Sequence, residues 1–205
     1  MPASSSCSPR ELYGGAIASS LPTAFLDASD LRQVPDTQEV FLSPDSDLSL
    51  IVEVLELVKD DGAADSLEAA ARFHFSSLAH DNSALSSTVT SVSLPSSTSA
   101  SQPPSSSSSS SSLQPTLVGP TLLTGRQTVS KFNRPDSEAD EVFIQLALWR
   151  VPERDADVTL CVNWPVSKGD GGDAGEGGEA EAERVFEEAV RSFEVKDFGL
   201  FAGGA

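Results

Sequence analysis

The run Val142-Phe143-Ile144-Gln145-Leu146-Ala147-Leu148-Trp149 is apolar at every position but one. A run of this kind fits a central β-strand covered on both faces, so the chain needs packing layers above and below a sheet. Its surroundings supply candidates for both. Gln38–Leu42 (QEVFL), after the turn signal Pro35-Asp36, reads as a short strand, and Thr88–Leu94 alternates by two as a half-buried strand does. Thr121–Phe132, Glu141–Val151 and Asp157–Trp164 are further strand candidates, each bounded by Pro, Asp or Asn. Trp149 and Trp164 fall inside these runs and read as packing residues.

Two segments carry helical spacing. Asp65-Ser66-Leu67-Glu68 resembles a capping box with Asp65 as cap, and Leu67, Ala71, His74, Phe75 and Leu78 follow it. A second helix is predicted over Glu179–Phe193, where Ala182, Val185, Phe186, Ala189, Val190 and Phe193 form one stripe. The last segment, Phe193–Phe201, reads as a short edge strand or an ordered tail. Leu48–Val58 is ambiguous: helical periodicity fits it slightly better, yet Ile51-Val52-Glu53-Val54 is rich in β-branched residues. Antiparallel strands with helices before and after them predict an α+β fold with α/β/α layers and a sheet of about six strands. No Gly-rich phosphate loop follows a strand, which argues against a doubly wound nucleotide-binding fold.

The polar segments set the organisation. Residues 82–125 hold no charged residue and no histidine, and Ser105 to Ser112 are eight consecutive serines. Such a stretch cannot bury enough apolar surface to offset the entropy of ordering. A Ser/Pro-rich insertion over 95–116, a mobile Gly/acid-rich loop over 168–178 and a disordered leader over 1–10 are therefore expected. The remainder, 11–205, is expected to be a single domain.

The net charge is −18, and it is concentrated. Residues 27–65 carry eleven carboxylates against Arg32 and Lys59, and residues 170–188 carry eight against Arg184. This balance argues against nucleic acid and anionic membranes as partners and favours a basic protein surface. No stretch is long and apolar enough to span a bilayer. Cys7 and Cys161 fit no zinc spacing or disulfide framework, and His74 and His80 share no helix face, so neither a metal nor a cofactor is expected.

Glu53 and Glu56 admit three readings: a general acid/base couple, a recognition pair for Lys or Arg of a partner, or a solvated polar edge. Gly14-Gly15 reads as a tight turn. Asp27 and Ser29 suit a side-chain-capped connection, which also presents Asp30, Arg32 and Asp36 outward.

The strings ELYGGAI, DASDLRQVPDTQEVFL and SLIVEVLELV, dense over Glu11–Val58, resemble the MOG family of Ran guanine nucleotide release factors. The resemblance continues through Ala69–Phe75, Leu123-Thr124-Gly125, Val129–Phe132 and Leu148–Pro152, and ends at Leu200-Phe201. It implies a sheet flanked by helices similar to the PsbP photosystem subunit, with Leu50–Leu57 as a strand. It also implies a monomeric regulator without an active site of its own, which binds the GTPase Ran, promotes release of its guanine nucleotide and serves nuclear protein import from nucleus and cytoplasm. The family's two functional acids fall at Glu53 and Glu56. Asp27, Asp30, Arg32 and Asp36 match the family signature and are expected to adjoin the contact. A hydrolase using Glu53 and Glu56, and a PsbP-like assembly factor, are the rival readings.

Overall fold

A computed structural model describes residues 6–95, 115–130, 135–167 and 178–202. Most of the serine-rich insertion, most of the 168–178 loop, residues 1–5 of the leader, and Lys131 and Phe132 lie outside the described residues.

The apolar run becomes β8 (Asp140–Val151), in a seven-stranded antiparallel sheet. The sheet comprises β3 (Leu26–Asp27), β4 (Gln38–Leu42), β5 (Ser49–Glu56), β6 (Ser86–Ser93), β7 (Val118–Val129), β8 and β9 (Ala156–Ser167), in the order β3-β4-β5-β9-β8-β7-β6. Every expected strand is present within a few residues of its predicted bounds. β5 resolves the ambiguous segment as strand. Leu50 and Val52 pack into one core face, while Ile51, Glu53 and Leu55 take the other, so both faces of the segment are used. The single stripe of a helix would have served only one of them.

Each face of the sheet has its own core. On one side α1 (Leu67–Asp81) packs Ala70, Ala71 and Phe75 against Leu123, Ile144, Leu146, Leu148 and Cys161. On the other, α2 (Gly178–Arg191) packs Ala182, Val185, Phe186 and Ala189 against Ala147, Trp149, Val158, Leu160 and Val162. The α2 stripe is the one read from the sequence. Trp149 and Trp164 are buried, as expected, and Trp149 stacks on Phe193 with ring centroids 3.8 Å apart.

A small second sheet completes the α2 face. It holds β1 (Cys7–Leu12), β2 (Ile17–Pro22) and β10 (Glu194–Val195), in the order β1-β2-β10. The disorder expected over 1–10 is contradicted at Cys7 to Arg10, which pair with Ser19 to Pro22. Pro9 obscured this strand, but β1 is an edge, where the missing N–H costs no ladder bond. The hairpin turns at Tyr13-Gly14-Gly15, with Gly14 and Gly15 at φ of 64° and 95°, a conformation that favours glycine. The closing segment supplies both expected forms, β10 and a one-turn helix at Phe198–Ala202.

The cap of α1 is Ser66 and not Asp65. Its hydroxyl accepts the Ala69 N–H at 3.1 Å. The position three residues after the true cap is thus an alanine, and no reciprocal box forms. Glu68 instead accepts from Arg72 one turn on, at 2.9 Å. No disulfide joins Cys7 to Cys161, and no described helix is long and apolar enough to cross a membrane.

Candidate functional site

Glu53 lies in the middle of the β4-β5-β9 ladder, opposite Gln38 on one side and Thr159 on the other. It is half-buried, and one carboxylate oxygen accepts from Gln38 Nε2 at 2.8 Å. Its side faces α1. Strict alternation would send Glu56 to the α2 face, but β5 stops at Glu56 and the chain turns there. Leu57 N–H donates to the Asp155 carbonyl at 2.8 Å, and Lys59 pairs with Asp155 at 2.7 Å. Glu56 is exposed, and it lines the same cleft as Glu53. This cleft, of about 600 Å³, runs between the end of β5 and α1. Leu55, Leu57, Phe73 and Leu78 wall it, and Thr159 and Cys161 of β9 contribute its floor.

What holds the cleft's two sides together is a buried polar cluster. Asp157 is fully buried and takes the Arg150 Nε–H on Oδ1 at 2.8 Å. Its Oδ2 lies 2.8 Å from His74 Nε2 on α1 and accepts the Val58 N–H at 3.1 Å. The Arg150 guanidinium also donates to the carbonyls of Val58 and Ala63. Three elements, β8, β9 and α1, thereby grip the 57–63 connection at the cleft mouth. Sequence reading passed over this cluster. Its signal was Arg150 inside one apolar strand run and Asp157 at the start of the next, charges that demand a partner when buried. Arg150 and Asp157 are in fact ladder partners.

The electrostatics follow from burial and from the acids. Burial pushes the Cys161 thiol from 9.0 up to about 12, and the Glu53 charge adds to the shift. Burial also raises Glu39, whose carboxylate accepts the Tyr13 N–H on the opposite face. Cys161 is expected to resist iodoacetamide at pH 8 in the native protein and to react fully once unfolded, as mass mapping of the alkylated residue will show. Because the folded value lies above the ordinary one, the thiol's contribution to stability is intact below about pH 9 and is lost as pH rises toward 12.

The other predicted site residues are not gathered into the cleft. Asp36 is exposed next to Thr37, whose carbonyl accepts the Val54 N–H at 2.9 Å, so it flanks the end of β5. Asp30 and Arg32 are exposed on the connection from β3 to β4. Asp27 pairs in register with Phe41, and its carboxylate accepts from Ser29 N–H at 2.8 Å and from the Ser29 hydroxyl at 2.6 Å. It caps the one-turn helix Ala28–Asp30, as the sequence allowed. Of the residues of α1 and β9 that line the cleft, Phe73, Ser77, Asp81 and Thr159 were not singled out in advance. They lie far from Glu53 in the chain, and only the fold brings them there.

Comparison with known proteins accords with this architecture. The profile of the family described as Ran-interacting Mog1 protein matches residues 10–165. A Homo sapiens protein named Ran guanine nucleotide release factor is 38% identical, over 75% of this chain and 74% of that protein. The Saccharomyces cerevisiae nuclear import protein MOG1 is 33% identical, over 94% of this chain and 84% of its own length. The crystal structure of the Saccharomyces cerevisiae Ran-binding protein Mog1p superimposes with a TM-score of 0.69 at 27% identity, covering 97% of this chain and all of that one. Cyanobacterial PsbP from Synechocystis shares the fold, with a TM-score of 0.50 at 11% identity over 93% of each chain. The chain belongs to the Ran-interacting Mog1 family.

Proposed function

We propose that this protein binds the GTPase Ran through the acidic mouth of the cleft, promotes release of Ran's guanine nucleotide and thereby supports nuclear protein import, working in both nucleus and cytoplasm. The observation that carries the reading is the convergence of Glu53 and Glu56, on a strand that would otherwise separate them, at one accessible concave surface. Carboxylates so placed suit charge-assisted hydrogen bonds to Lys or Arg of the partner. Asp30, Arg32 and Asp36 sit on the exposed rim, where acids steer encounter more than they add affinity. Asp27, already engaged in its cap, contributes field and little direct contact. The chain acts as a monomer, one domain, and as a regulator without chemistry of its own.

Nucleotide release then follows from linkage. A protein that binds nucleotide-free Ran more tightly than loaded Ran weakens nucleotide binding by the same factor. Carboxylates at the GTPase phosphate site achieve this by competing for the Lys and Mg²⁺ that hold the phosphates.

The test is release of a fluorescent GTP analogue from Ran. Added protein is expected to accelerate release, and an unchanged rate contradicts the reading. Stopped-flow association over a salt series is expected to show kon falling steeply as ionic strength rises. A flat series removes the electrostatic part.

A further inference from the structure

The cleft is more than an acidic edge. Glu53, Glu56, Asp60 and Asp81 line it, while its one lysine, Lys59, is held at 2.7 Å by Asp155. Arg72, on the adjoining surface of α1, is likewise paired, with Glu68. Among the described residues, the unspent charge facing the cleft is therefore negative. Thr159 is a second, independent feature. It is 4% exposed, directly opposite Glu53 in the ladder, and lines the cleft floor. Its hydroxyl makes no side-chain hydrogen bond among the described residues, and it keeps some access to the cleft. A hydroxyl that opens on a cleft can accept from or donate to whatever enters it.

The walls are apolar. Leu55, Leu57 and Leu78 flank Phe73, which is half-buried, with its ring edge-on to His74 at 5.9 Å between centroids. An apolar shaft ending in carboxylates and a hydroxyl matches a long aliphatic stem with a cationic head. It matches neither a free metal ion, which has no use for the shaft, nor an acidic ligand.

We propose that the cleft takes one long cationic side chain, lysine or arginine, from the partner, its head received by Glu53, Glu56 and the Thr159 hydroxyl and its stem lying along Leu55, Phe73 and Leu78. The volume exceeds one such side chain, so neighbouring residues of the same partner segment enter with it. Thr159 and Phe73 then become determinants of partner choice, alongside the two acids. The negative field at the floor agrees with the upward shift that Glu53 contributes at Cys161. The inference rests on the Ran-binding reading and specifies what that partner inserts.

Two measurements test it. In the first, the full chain is titrated with N-acetyl-lysine methylamide, N-acetyl-arginine methylamide or the uncharged norleucine analogue while amide resonances are followed. The cationic amides are expected to shift Glu53, Phe73 and Thr159, the larger shift naming the preferred head group, and norleucine to leave them unmoved. No shift, or equal shifts from norleucine, overturns the proposal. In the second, Ran affinity is measured for Thr159→Val, which keeps the shape and removes the hydroxyl, and for Ser77→Arg, which supplies the cleft with a cation from its own chain. Each is expected to weaken binding about tenfold or more, with melting curves confirming folded protein. If both bind Ran normally while Glu53→Lys/Glu56→Lys does not, the cleft occupant is wrong and the Ran reading stands. If all three bind normally, the cleft is not the Ran-binding surface, and the proposed occupant and the site assignment fall together while Ran binding itself stands.

Discussion

Glu53→Lys combined with Glu56→Lys is expected to weaken Ran binding by at least about 100-fold while leaving the fold intact. Removing one partner of a desolvated charge pair already costs 2–5 kcal/mol or so, and reversal adds repulsion against the same cationic patch. The fold should tolerate the change for reasons visible at each position. Glu56 is exposed and ends its strand. Glu53 gives up a single hydrogen bond, from Gln38, and a lysine there extends its stem along Leu55 with the ammonium in the cleft mouth. Isothermal titration of Ran, alongside a thermal melt, reads both halves of the expectation. Undiminished affinity in a folded variant removes the site assignment. An unfolded variant is met by Glu53→Gln with Glu56→Gln, which removes the charges and keeps the shape. That variant is expected to fold and to lose affinity by a smaller factor.

Asp157→Ala is expected to cost about 3–5 kcal/mol of folding stability, the largest loss from any single substitution at this end of the molecule. The mutation leaves the buried Arg150 guanidinium without its carboxylate and deprives His74 and the Val58 N–H of their acceptor. For a domain of this size the melting temperature should fall on the order of 10 °C. The effect reaches the cleft as well, because the same carboxylate ties α1 and the 57–63 connection to the sheet. Ran affinity is therefore expected to fall even where the protein remains folded at low temperature. Replacing all three buried polar residues by apolar ones of matched volume should recover only part of the loss, because the Val58 N–H and the Val58 and Ala63 carbonyls then lose their buried partners. Urea titrations of the wild type and the single variant decide the point, and a loss under about 1 kcal/mol contradicts the role given to the cluster.

The layers were legible because their signals are local. A continuous apolar run identifies a covered strand, and the α2 stripe from Ala182 to Ala189 is a period that any window finds. The β5 segment was harder, since Ser49, Glu53 and Glu56 happen to fit a helical period; the paired edges of β4 and β9 overrode it. The cap of α1 slipped by one residue because Asp65 and Ser66 are both good caps and only the backbone chooses between them. For the site, Glu53 and Glu56 were visible as acids in apolar sequence, and the family resemblance gave them a role. Their convergence was not visible, because it depends on where β5 ends. Thr159, Phe73 and the Arg150–Asp157–His74 cluster were hidden for a related reason: each acts across the sheet, between residues distant in the chain.

Amide hydrogen exchange of this protein with and without Ran tests the placement of the interface most directly. Protection is expected on the segment from Asp36 through Lys59 and along α1 from Phe73 to Asp81, with β1, β2 and α2 unchanged. Protection confined to the α2 face, with the β5–α1 cleft exchanging as it does in the free protein, contradicts the account.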